Sequence, residues 1–77
     1  MNLSKIEIII DLIEDYKCID SLSADSRLLE NILDSFDLIA LIDLLEQEFK
    51  LVIPIEEVVP ENFHTPESIS FLLEKLS

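Results

Sequence analysis

The stretch Asp34-Ser35-Phe36-Asp37-Leu38-Ile39-Ala40-Leu41-Ile42-Asp43-Leu44-Leu45-Glu46-Gln47-Glu48-Phe49-Lys50 decides the fold. Its apolar residues Leu38, Leu41, Ile42, Leu45 and Phe49 follow an i, i+3, i+4, i+7, i+11 series, the stripe of an amphipathic helix. Asp34-Ser35 starts that helix, because either side chain can accept hydrogen bonds from the free N–H groups of a first turn. Lys50 sits at its other end, where the helix dipole favours a cation. Away from the stripe, at about 100° per residue, lie Phe36, Ile39, Ala40, Asp43, Glu46 and Gln47. Phe36 and Ile39 are thus expected to be exposed apolar side chains among carboxylates, beside a serine hydroxyl.

Upstream, Leu3, Ile6, Ile10 and Ile13, with Ile9 and Tyr16 beside them, lay a stripe along a first helix from Leu3 to about Lys17. Cys18 to Ile32 has no sustained period and reads as a long loop pinned by its leucines, a length that tends to be functional. Downstream, Leu51-Val52-Ile53-Pro54 is extended, since the residue before proline is pushed out of the helical region. A short helical turn follows over Ile55 to Val59. The last helix has Thr65 as N-cap, Pro66 at its first position and Glu67 in its first turn, with Ile69, Leu72, Leu73 and Leu76 as its buried stripe. The fold class is all-α: a small bundle of three main helices plus one short helix, with a long loop between the first and second helices.

The chain has 77 residues and no glycine, and 49% of it is hydrophobic, which suits one compact helical domain over residues 1–77 and argues against disorder or a turn-rich β fold. Without glycine, any left-handed backbone position is expected at Asn31 or Asn62. Seventeen acids against five bases give a formal charge of −12, so nucleic acid and anionic membranes are disfavoured and partners should be basic. Between Arg27 and Lys50 there are acids (Glu30, Asp34, Asp37, Asp43, Glu46, Glu48) but no base, and Glu56, Glu57, Glu61, Glu67 and Glu74 follow before Lys75. Such a bias most often makes a solvated face.

Cys18, the one cysteine, has no disulfide or metal-binding companion, so a reduced, cytoplasmic protein with a buried Cys18 is expected. Ile8-Ile9-Ile10 is interrupted by charge at every turn and reads as neither signal peptide nor membrane span. No stretch has the spacing of an EF-hand loop, and His64 lacks a metal-ligand or nucleophile companion, so no metal is expected. The absence of a nucleophile–base pair or phosphate-binding glycine loop disfavours an enzyme.

On local grounds Ser35 is a helix cap, though an exposed hydroxyl at a helix N-terminus also suits a bound phosphate. The wider order of residues adds more. Asp34-Ser35-Phe36, Leu38-Ile39-Ala40-Leu41-Ile42, Leu45-Glu46-Gln47-Glu48-Phe49, Val52-Ile53-Pro54, Glu56-Glu57, Pro60-Glu61-Asn62-Phe63 and Thr65-Pro66-Glu67-Ser68-Ile69 together resemble the acyl and peptidyl carrier proteins. The resemblance covers most of the chain after Arg27. It implies that a phosphopantetheinyl transferase, using coenzyme A and magnesium, attaches 4'-phosphopantetheine to Ser35, and that an acyl or aminoacyl group rides on the arm as a thioester. An acyl or aminoacyl ligase would load the arm, and downstream transferases or synthases would read the second helix and the Ile53 to Val59 region. The docking residues so implied are Asp34, Phe36, Asp37, Ile39, Ala40, Asp43, Glu46, Ile53, Glu56 and Glu57, on a monomer. Leu33 stands where many carriers have glycine, and Leu-Asp-Ser-Phe is more similar to D-alanyl and specialised acyl carriers than to fatty-acid carriers. The rival reading is an unmodified acidic adaptor binding a basic protein through the same face, which needs no hydroxyl at position 35.

Overall fold

The computed structural model describes residues 4–77; Leu3, expected to begin the first stripe, lies outside them. Five α-helices follow in order: α1 (Lys5–Lys17), α2 (Leu28–Asn31), α3 (Ser35–Phe49), α4 (Pro60–Phe63) and α5 (Pro66–Leu76), with a 3-10 turn at Ile55–Glu57 before α4. The three long helices are those expected from periodicity.

Each long helix begins on a reciprocal capping box: Ser4 with Glu7, Asp34 with Asp37, and Thr65 with Ser68. Each box satisfies two backbone N–H groups that a helix start leaves free. Glycine's usual place at a helix end falls to other residues. Cys18 and Lys50 take left-handed backbone with φ of 55° and 54°, and Ser21 does so with φ of 65°. After α1 the Ile19 N–H donates to Glu14 O at 3.0 Å and the Cys18 N–H to Asp15 O at 3.4 Å, the paired bonds of a Schellman motif. Left-handed backbone was expected instead at Asn31 and Asn62, but both lie inside short helices. Helix closure, not side-chain tolerance, places these residues. The same closure leaves Cys18 exposed, where burial was expected.

The core joins Ile9 and Ile13 of α1, Leu28, Leu33, Leu41 and Leu45, then Ile53, Phe63, Ile69, Leu72 and Leu73. α1 packs mainly on α5 and also meets α3, while α4 packs on α5. The long connection is shorter in irregular backbone than expected, because α2 occupies its end. Leu28 and Leu33 are buried, and the Leu33 N–H reaches back to Leu28 O at 2.7 Å. Leu33 therefore anchors the chain from the inside just ahead of Asp34. The Leu28 N–H donates to His64 O at 2.9 Å and the Glu67 N–H to Ala24 O at 3.0 Å, tying the loop to the α4–α5 junction. α4 had no expected counterpart, the short turn having been placed over Ile55 to Val59; Pro60 at its first position and the fully buried Phe63 make it a helical turn. No described helix is long and apolar enough to cross a membrane.

Candidate functional site

Asp34 caps α3 by accepting the Asp37 N–H at 2.8 Å, and Asp37 accepts the Asp34 N–H at 3.2 Å in return. Ser35 is the first residue of the helix and is exposed. Its hydroxyl has no hydrogen-bond partner among the described residues, and its own amide is one of those a helix start leaves free. A free hydroxyl at the positive end of a 15-residue helix is a fit place for a phosphodiester.

The first turn is braced from α1. Lys17 Nζ donates to Asp37 Oδ2 at 2.7 Å and the Tyr16 hydroxyl donates to Asp37 Oδ1 at 3.2 Å. With the Asp34 amide, the Asp37 carboxylate accepts three donors, and its side chain is only 14% exposed. The Lys17 hydrogen bond, followed by the Asp34 amide, holds the Asp37 carboxyl below its ordinary range. The same bond raises the Lys17 ammonium above its ordinary value, and partial burial, then Asp37, raise the Tyr16 hydroxyl. In the sequence Tyr16 was placed only beside the apolar stripe of the first helix and Lys17 only at its end; a base and a phenol in that last turn gain meaning once α1 meets α3.

The expected outward face is present. Phe36 is 82% exposed and Ile39 65% exposed, one helical turn apart, with Ala40 half-buried and Asp43 exposed on the same side. Asp43 Oδ2 accepts a hydrogen bond from Gln47 Nε2 at 2.8 Å. Glu56 is exposed beyond. Beside the local bonds of Asp34 and Asp43 within α3, three of the expected docking acids are tied to residues outside their own helix or turn. Asp37 is held as described, Glu46 Oε2 accepts the Ile53 N–H at 2.8 Å, and Glu57 Oε1 accepts Lys75 Nζ at 3.0 Å. Ile53 needs correcting: it is 6% exposed and belongs to the core, because the Glu46 bond turns the extended link inward there. Val52, missed in the sequence, and Ile55, named there only within the Ile53 to Val59 region, are strongly exposed apolar residues of that segment. Alternation in the link places Val52 out when Ile53 is in.

A helical domain with a free serine at the start of an outward-facing helix is the architecture of a carrier domain. No family model matches the chain. The Probable acyl carrier protein PigG of Serratia sp. (strain ATCC 39006) is 40% identical over 58 residues, which are 74% of this chain and 67% of that protein. A chain in the crystal structure of Bradyrhizobium japonicum glycine:[carrier protein] ligase complexed with glycylated carrier protein is 27% identical and superposes with a TM-score of 0.70, over 87% of this chain and 90% of that one. The chain belongs to the acyl/peptidyl carrier protein family.

Proposed function

We propose that residues 1–77 form a single carrier domain whose Ser35 bears 4'-phosphopantetheine and holds an acyl or aminoacyl group as a thioester. The observation that carries the reading is the free, exposed Ser35 hydroxyl at the first position of α3, next to the 82% exposed Phe36. In the attachment step the Ser35 oxygen attacks the pyrophosphate of coenzyme A at the phosphorus bearing the pantetheine. A phosphodiester forms, 3',5'-adenosine bisphosphate leaves, and the hydroxyl proton passes to a base of the transferase. The arm supplies the thiol that takes the cargo. The chain's own residues present the serine: the capping box fixes the first turn, and Lys17 and Tyr16 hold that box against α1.

The partners on this reading are a phosphopantetheinyl transferase, an acyl or aminoacyl ligase and downstream transferases or synthases with basic docking surfaces. The Bradyrhizobium structure, where a ligase is complexed with glycylated carrier protein, supports the ligase and an amino acid as one class of cargo. Phe36, Ile39, Val52 and Ile55 would supply apolar contact, and Asp34, Asp43 and Glu56 the steering charge. The protein would act in the cytoplasm as a non-catalytic monomer.

Intact mass after incubation with coenzyme A and a broad-specificity phosphopantetheinyl transferase tests the reading. A gain of one phosphopantetheine, lost in Ser35→Ala, is expected. A folded protein that gains no mass with any transferase tried would refute it.

A further inference from the structure

A second surface runs along α1, from beside the Tyr16–Lys17 brace to the far end of α3 from Ser35. A groove of about 670 Å³ runs between α1, the start of the following loop and the end of α3. Ile8, Leu12 and Ile19 give it an apolar lining, and Asp11, Asp15 and Glu48 stand exposed around it. Glu14 also lines it, but its Oε2 accepts the Leu22 N–H at 2.9 Å and so fixes the loop that carries Ile19. The wall is therefore held in place before anything binds. Asp11, Asp15 and Glu48 have no ion-pair partner among the described residues, and no base lines the groove.

We propose that this groove docks a basic amphipathic helical segment of a partner protein. Apolar side chains of such a segment would fill the Ile8, Leu12 and Ile19 lining while its lysines or arginines meet the three rim carboxylates. Charge selects the occupant: a chain of net charge −12 repels both an anionic lipid surface and a second copy of itself. Glu48 lies thirteen residues along α3 from Ser35, about 20 Å at 1.5 Å per residue. This surface goes beyond the carrier reading and needs no group on Ser35.

The test is a titration of the full chain, followed by backbone amide shifts, with a synthetic amphipathic helix of Leu, Lys and Ala and with a twin bearing Glu in place of Lys. The Lys peptide should move the amides of Ile8, Leu12, Ile19 and Glu48, and the twin should not. Neutralising the rim with Asp11→Asn, Asp15→Asn and Glu48→Gln together should weaken binding about tenfold, the summed effect of three exposed pairs. These side chains make no internal ion pair, so the thermal melt of the triple variant checks that its fold is kept. Ser35→Ala and the Phe36→Ala/Ile39→Ala variant should bind as the unaltered chain does. Groove amides that stay still, equal binding of the Glu twin, an unweakened triple variant, or binding to anionic vesicles instead would each overturn the proposal.

Discussion

The Asp37 carboxylate receives the Lys17 ammonium, the Tyr16 hydroxyl and the Asp34 amide at once, so its protonation state is tied to folding. Its folded pKa lies below the ordinary value of 3.8, so the stabilisation it provides is complete above that value and is lost as pH falls through the depressed one. Lys17 runs the other way: raised above 10.5, its contribution is complete below that pH and fades as pH rises through the raised value. Asp37→Asn should melt below the unaltered chain near neutral pH, with the gap closing in strong acid. A gap that persists at the lowest pH at which both fold would show that Asp37 acts by shape and not by charge. The sequence marked Asp37 only as a docking acid, since Lys17 and Asp37 are twenty positions apart and only tertiary contact joins them. Ser35 and Phe36 were legible because their exposure follows from one helix alone.

At the scale of elements, the capping boxes and apolar stripes made α1, α3 and α5 readable, as each rests on spacing within a single segment. The ends of α1 and α3 fell where expected, at Lys17 and next to Lys50, but the left-handed backbone that closes them was not readable. Lys50 and Cys18 adopt left-handed backbone that costs a residue with a Cβ about 1–2 kcal/mol. Lys50→Gly should therefore raise stability by about 0.5–1 kcal/mol after the added freedom of the unfolded glycine is set against it, measured by denaturant unfolding. Removing a cap acts oppositely. Thr65→Ala deletes the acceptor for the Ser68 N–H at 3.0 Å and should cost about 1 kcal/mol, which for a domain this small lowers the melting midpoint by about 4–8 °C. The short helices α2 and α4 escaped the sequence because four residues carry no period; Leu28 and Phe63 are helical through what they pack against.

For the whole molecule, a chain of 77 residues is expected to have a stability of about 4–12 kcal/mol. Phe63 is fully buried where α4 meets α5, and Phe63→Ala should cost about 3–5 kcal/mol, enough to leave a large unfolded fraction at physiological temperature. A circular dichroism melt would show it, and an unchanged midpoint would mean that the cavity collapses freely. The charge of −12 has two opposed effects. Salt should raise the thermal midpoint by screening self-repulsion, and, on the proposed function, the same salt should slow modification of Ser35 by a basic transferase, because steering is screened over a Debye length of about 8 Å at physiological ionic strength. Overall charge was legible from composition. Which carboxylates stay free was not, since Glu46 and Glu57 find their donors only after the chain folds.

The two backbone bonds from Leu28 to His64 and from Glu67 to Ala24 join segments about forty positions apart and stitch the loop to the start of α5. They make a mechanical path: tension on the C-terminal helix reaches the loop, and through the Leu33 anchor the turn that bears Ser35. Their amide protons are natural clocks for that path. If the stitch opens only when α5 detaches, the Leu28 and Glu67 amides will exchange with deuterium at the same pace as the amides of α5, and shortening α5 will loosen the serine end without touching it.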